Sequence, residues 1–308
     1  MIRANAAIQG TDSSRNSDLG CPCIRSRMDI ARIRKAGEVV ASALDAASAA
    51  CVPGVRTEDL DQIAAEIISA SGADPLFLGH AGPTGEFPAS TCISVEDEIT
   101  HGVPGDRVLE SGEIVTIDCG VRLDGWCADA AVTVPVGEVC PERREMIEVN
   151  EALLWLAIRM IRPGRRWSEI AEALQNAALD SDFGVVEEFT GHGIGKQLHE
   201  APAIPSVLTQ GLLGRGDFTL RPGMVLAIEP MLVLGGAALR GDGTAAGVPT
   251  YLGSDGWTVS TLLGDPASHF EHTVAVTRNG AEVLTAVDSR LNAPQGTQIP
   301  GFSWESGI

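Results

Sequence analysis

The chain has 308 residues, 44% of them hydrophobic and 20% charged, with a formal net charge of −19. That supplies ample apolar material for a large α/β domain, while the acidity argues against a nucleic-acid footprint and against binding to anionic membranes. The seven cysteines are odd in number and scattered, which suits reduced thiols. With neither a signal-peptide core nor a run of ~20 apolar residues, a soluble, cytoplasmic protein is expected.

Residues 1–26 are polar and aperiodic and read as a flexible tail. From Met28 the pattern turns helical, with Ile30, Ile33, Val40, Leu44, Ala47 and Cys51 on one face. Pro53-Gly54 ends that helix. Thr57 is the expected N-cap of a second, with Glu58 and Asp59 in its first turn and Leu60, Ile63, Ala64 and Ile67 on its apolar side. Residues 75–90 are rich in Gly and Pro and read as loop; Ser90–Val95 reads as a strand. Thr100-His101-Gly102-Val103-Pro104 then precedes a hairpin of Ile114–Val121 and Trp126–Val134.

Pro141 opens a helix at a favoured first position, with Met146, Ile147, Leu153, Leu154, Ala157 and Ile161 buried. Pro163-Gly164 ends it, and Ser168 is the expected cap of Glu169–Leu179. A strand Val185–Phe189 leads into Gly191-His192-Gly193, and a strand Met224–Pro230 carries Glu229. Residues 234–254 form a Gly-rich, mobile stretch. Asp255-Gly256-Trp257 opens a strand pair that ends in Phe270-Glu271-His272, and beyond Ser289 the chain reads as a C-terminal tail. The expected organisation is a tail (1–26), one catalytic domain (27–289) of two half-repeats (about 28–138 and 139–288), and a second tail (290–308).

Each strand of the hairpin carries one carboxylate, Asp118 and Asp129. A Leu123-Asp124 loop would set them opposite one another, and an Asp124-Gly125 loop diagonally. Either register puts both on one face, where like charges destabilise a sheet unless a cation lies between them. A solvated aspartate at a bulge is the bland alternative.

The chain also repeats itself. VPGVRTEDL (Val52–Leu60) recurs as RPGRRWSEI (Arg162–Ile170), and LESGEIVTID (Leu109–Asp118) as LRPGMVLAIE (Leu220–Glu229). Asp124-Gly125-Trp126 recurs as Asp255-Gly256-Trp257, and DAAVTV (Asp129–Val134) as EHTVAV (Glu271–Val276). Asp118 thus falls on Glu229, Asp129 on Glu271, and His101 on His192. Two half-domains related by a pseudo-two-fold would bring these groups to a common axis. Four converging carboxylates are untenable without cations, and a pair of divalent metals resolves the repulsion. Oxygen donors with one imidazole suit Mn, Fe, Co or Zn. Taken singly, each residue has a structural reading: Glu229 at a wet strand end, Glu271 beside His272 at the surface, His192 as a turn residue.

The set Ile117-Asp118, Ala128-Asp129, Gly191-His192-Gly193-Ile194-Gly195, Ile228-Glu229-Pro230 and Phe270-Glu271-His272-Thr273 resembles methionine aminopeptidase of the bacterial type I. Cys92-Ile93-Ser94-Val95 and His101-Gly102-Val103-Pro104 extend the similarity, which runs from about Met28 to Thr285. The resemblance implies the pita-bread α/β fold, with a central antiparallel sheet and outer helices. It implies two divalent metal ions, with Asp118 on one, His192 and Glu229 on the other, and Asp129 and Glu271 bridging. The implied chemistry is attack of a metal-held hydroxide on the carbonyl of an N-terminal methionine. Glu229 would shuttle the proton, His199 would stabilise the oxyanion, and His101 would meet the scissile amide. The implied partners are N-terminal peptides of nascent proteins, with the ribosome as one place of encounter. No interface motif stands out, which favours a monomer.

Phe87, Cys92, Leu198 and Trp257 are the candidate methionine pocket. The family's Tyr-x-Gly-Tyr/Phe-Pro run reads Thr84-Gly85-Glu86-Phe87-Pro88 here, without its first aromatic. Leu198 stands where an aromatic is common, His269 replaces a usual glutamine, and Glu96 stands where asparagine is usual. Two other readings are an Xaa-Pro aminopeptidase or prolidase and, from another class, a non-catalytic pita-bread protein that binds partners.

Overall fold

The computed structural model describes residues 22–286 except Pro83 and Ala237. Most of the expected tails lies outside the described residues. Two helices open the described chain, α1 (Arg27–Ala49) and α2 (Thr57–Ala70). There follow β1 (Thr91–Val95), the long hairpin β2 (Ile114–Leu123) and β3 (Trp126–Pro135), then α3 (Pro141–Met160) and α4 (Trp167–Asp180). The second half continues with β4 (Gly191–Gly193), β5 (Glu200–Ile204), β6 (Val225–Ile228), β7 (Met231–Gly236), β8 (Ala267–His269) and β9 (Glu271–Val276).

One nine-stranded antiparallel sheet organises the described residues, in the order Asp74–Pro75, β2, β3, β9, β6, β4, β5, with β1 beside β2 and Ala281–Val283 beside β9. Side chains alternate across it. Ile117, Cys119, Ala128 and Ala130 face the first helix pair, in a core with Ile33, Val40, Leu44 and Leu60. Leu226, Ile228 and Val274 face the second pair, with Leu153, Leu154, Trp167 and Leu174. Burying each large aliphatic side chain contributes about 1.5–3 kcal/mol. No helix among the described residues is long and apolar enough to cross a membrane.

The internal repeat is visible in the backbone. Leu109 N–H donates to Val55 C=O at 2.8 Å and Leu220 N–H to Arg165 C=O at 2.9 Å. Gly54 N–H reaches Leu109 C=O and Gly164 N–H reaches Leu220 C=O, at 2.8 and 2.9 Å. Gly54 and Gly164 have φ of 96° and 90°, a conformation that favours glycine.

Several sequence expectations are corrected. Thr57 and Ser168 are not caps: the N-caps are Arg56 and Arg166, and Asp59 and Glu169 reach back to their N–H groups at 3.1 and 3.2 Å. The hydroxyl of Thr57 instead donates to Gly105 C=O, and that of Ser168 to Asp217. The strand expected over 185–189 is Phe183–Val185. Residues 75–90 contain a small hairpin, Ala81–Gly82 paired with Gly85–Glu86. The stretch 234–254 includes the end of β7 and a strand at Thr250–Leu252.

Between β3 and β9 the two halves meet through two residue pairs, Ala131 with Glu271 and Ala130 with His272. Threonine hydroxyls bridge the backbones on either side. Thr273 Oγ1 accepts from Asp129 N–H at 3.1 Å and donates to Asp129 C=O at 2.8 Å. Thr133 Oγ1 does the same for His269, at 2.8 and 2.9 Å.

Candidate metal centre

The hairpin turn settles where the aspartates stand. Leu123 pairs with Trp126, so Asp124-Gly125 is the two-residue loop, and both residues have positive φ (50° and 78°), as a type I′ turn demands. Asp129 is therefore opposite Gly120, and Asp118 opposite Ala131. Ala131 also pairs with Glu271, so Asp118, Ala131 and Glu271 form one rung across three strands.

Alternation then gathers the other groups. Thr273 pairs with Ala227, and Ala227 with His192. Glu229 lies two residues beyond Ala227, and Cys92 pairs with Asp118. Cys92, Asp118, Asp129, His192, Glu229 and Glu271 thus share one face of the sheet, opposite the helices. Ala131 and Ala227 between them are small, and Gly120 lets the Phe77 ring lie against the strand, where a Cβ would meet it at 3.1 Å.

Atomic distances match this placement. Asp129, His192 and Glu271 each offer a ligand atom within 4.8 Å of the others. His192 Nε2 is 3.5 Å from Asp129 Oδ2 and 3.8 Å from Glu229 Oε1. His192 Nδ1 lies 3.0 Å from Gly193 C=O. A carbonyl only accepts, so Nδ1 carries the proton and Nε2 turns its lone pair to the carboxylates, the tautomer a metal requires.

Burial pushes all four carboxyls above the ordinary range. Asp118 is raised further by Asp129, Glu229 by Asp118 and Asp129, and Glu271 by Asp129, Glu229 and Asp118. In Asp129 burial is partly offset by the Thr273 hydroxyl, 3.2 Å from Oδ1. Asp118 Oδ1 and Glu271 Oε1 are buried without a hydrogen-bond partner. Buried polar atoms are ordinarily satisfied, and divalent cations would both satisfy these oxygens and relieve the repulsion. The donor set therefore fits divalent metal.

Two further histidines flank the carboxylates. His199 meets His192 edge-on at 4.5 Å between ring centroids. Burial, then the neighbouring histidines His192, His80 and His101, pushes it down to about 3. His101 has φ of 58° and a buried Nδ1 without a partner, and burial, then His80, brings it down to about 4. Both rings are neutral at pH 7 and able to donate one hydrogen bond.

Beside them Phe87, Cys92 and Trp257 form an apolar cluster with Ala89, and Phe87 meets Trp257 edge-on at 5.1 Å. Leu198 belongs to the first-half core cluster, which also holds Ile194. His80 escaped the sequence reading. Its ring lies edge-on to both Trp257 and His199, at 6.4 and 6.3 Å, so an aromatic ring does precede Phe87 in the cluster's wall. The residues between them form the small hairpin, held to Trp257's loop by Thr84 Oγ1 donating to Asp255 C=O at 3.1 Å. Gly82 lets the indole lie against it; a Cβ there would meet Trp257 at 2.3 Å. At the rim Arg25 pairs with Glu200, lies 5.5 Å over the Trp126 ring and donates its N–H to Gly223 C=O.

A buried cluster of carboxylates and imidazole at the meeting of two half-domains is the centre of a metallohydrolase. Residues 31–278 match the model of metallopeptidase family M24, and the chain belongs to that family. Methionine aminopeptidase 1 of Bacillus subtilis (strain 168) is 41% identical over 255 residues, 83% of this chain and 95% of that protein. Methionine aminopeptidase 1 of Mycobacterium tuberculosis is 40% identical over 268 residues, covering 85% and 94%. Among solved structures, methionine aminopeptidase from Thermotoga maritima superposes with a TM-score of 0.78 at 36% identity, over 87% of this chain and all of that one. Prolidase from Pyrococcus furiosus, at 23% identity and a TM-score of 0.64, shares the fold. The architecture is the pita-bread fold that the resemblance implied.

Proposed function

We propose that this chain is a dinuclear metallo-exopeptidase that removes the N-terminal methionine from peptides. One observation carries the reading: five donors from both halves meet on one sheet face, with the His192 Nε2 lone pair turned toward Asp129 and Glu229. The methionine aminopeptidase relatives, matched over nearly their whole length, support the substrate; the Xaa-Pro reading rests on fold alone. In this proposal the catalytic domain spans 27–289 and works as a cytoplasmic monomer on nascent N-termini.

Asp118, Asp129, His192, Glu229 and Glu271 would hold two ions of Mn, Fe, Co or Zn. Bound there, divalent ions polarise a carbonyl and lower the pKa of water. The protein's own groups do the rest. His199 is a neutral donor for the carbonyl oxygen as negative charge develops on it. His101 meets the scissile amide and supports the departing amine. Glu229 takes a proton from the attacking water on its carboxylate and returns it to the leaving nitrogen. Phe87, Cys92 and Trp257, with His80 at their edge, offer a soft apolar lining to the thioether.

The test is reconstitution of metal-free protein with Mn, Fe, Co or Zn in turn, assayed on Met-Ala-X, non-methionine and Xaa-Pro peptides. Methionine release with at least one ion is expected. Absence of release with every ion would overturn the proposal, and cleavage of Xaa-Pro alone would move it to the prolidase reading.

A further inference from the structure

His269 closes β8 and is 1% exposed. Its backbone is fully engaged by Thr133, yet neither ring nitrogen has a hydrogen-bond partner. Leaving a buried polar atom unpaired costs about 1–3 kcal/mol, so an imidazole used only to fill space would be a poor choice here. The ring lies near two groups of the site, Glu229 and His101. His269 Nε2 is 3.7 Å from Glu229 Oε2, while the other oxygen of the same carboxylate, Oε1, is 3.8 Å from His192 Nε2. Glu229 therefore stands between two imidazoles, one at each oxygen.

The two rings are not equivalent. His192 has its Nδ1 proton committed to Gly193 C=O and can offer Glu229 only a lone pair. His269 has no such commitment, and its proton can sit on Nε2. The register holds the ring in place: β8 pairs with β7 through Met231 and His269, and Met231 follows Glu229 by two residues. Glu229 and His269 thus come from the facing ends of adjoining strand segments.

We propose that His269 is a positioning residue for Glu229. Its Nε2–H donates to Glu229 Oε2 and so turns Oε1 toward His192 and the cation position they share. The 3.7 Å separation is longer than a formed hydrogen bond, so the proposed bond requires the two side chains to draw together by several tenths of an ångström. A hydrogen-bonding partner behind a ligand fixes its orientation and its basicity, and losing one typically weakens metal binding or activity about 10–100-fold. The inference rests on the reading of Glu229 as a ligand.

The experiment is titration of Mn2+ into the metal-free full chain, followed by calorimetry, for wild type, His269→Leu, His269→Met, His269→Gln and Glu229→Gln. In both apolar variants the weaker Mn2+ dissociation constant is expected to rise about 10–100-fold. His269→Gln, which keeps an N–H donor, is expected to bind close to wild type and to retain kcat. If His269→Gln is as impaired as His269→Leu, or if the apolar variants bind normally, the positioning role is overturned. Nitrogen-15 spectra of the wild-type histidine rings, assigned with His269→Gln, need no apolar variant to fold: an Nε2–H tautomer is expected, and an Nδ1–H tautomer would overturn the proposal. Glu229→Gln separates the two levels. Unchanged Mn2+ binding in that variant removes Glu229 as a ligand and this inference with it; weakened binding there, with normal binding in His269→Leu, removes this inference alone.

Discussion

Replacing Asp118 by Asn should stabilise the metal-free protein and destabilise the metal-loaded one. Asp118 is buried, is raised by burial and by Asp129, and has an unpartnered Oδ1. A carboxyl whose folded pKa is raised binds more protons folded than unfolded. Its cost is absent below the unfolded value near 3.8 and grows as pH rises toward the folded value. An amide keeps an acceptor there but carries no charge to bury or to repel Asp129. Removing a buried charge's desolvation penalty is worth about 1–3 kcal/mol, which is roughly 2–10 °C in Tm for a domain of this size. Metal reverses the sign. At a hundredfold excess over Kd an ion adds about 2.7 kcal/mol to the wild type, and the variant loses most of that gain. The assay is thermal unfolding in chelator and in Mn2+, from pH 5 to 8. In chelator the advantage of Asp118→Asn should widen with pH. A lower Tm for the variant in chelator, or an undiminished Mn2+ shift, would refute the reasoning.

Glu229→Gln should keep the fold, by circular dichroism, and lower kcat by about 10²–10⁴; near-normal turnover would remove Glu229 as the proton shuttle. Trp167 is fully buried, stacked on Phe218 at 6.0 Å, and donates Nε1–H to Pro205 C=O at 2.8 Å. Trp167→Ala should cost about 3–5 kcal/mol in urea unfolding, and a loss under about 1 kcal/mol would contradict its place in the core.

The site was legible because its geometry follows from strand alternation and a turn rule. Once Asp124-Gly125 is the loop, Asp118 and Asp129 are diagonal, and the repeat carries the same face into the second half. The helix caps were misread for an equally local reason. Thr57 and Ser168 have hydroxyls suited to capping, but the first turns are closed by Asp59 and Glu169 reaching back, and the hydroxyls serve Gly105 and Asp217. His80 and His269 were out of reach because their positions depend on distant chain. His80 enters the pocket wall only after the segment up to Phe87 folds into its own hairpin, and His269 is aimed by a register set through Met231.

The two-residue seam between β3 and β9 bears on how the molecule is made. Each half has its own helix pair, but the Thr273–Asp129 bridge joins positions 144 apart in sequence. Closing so long a loop is entropically costly, which places it late in folding. The first aspartates are then synthesised and packed before their glutamate partners exist. Until the seam closes, the emerging chain holds half a set of ligands, too few to trap a passing ion in the wrong place.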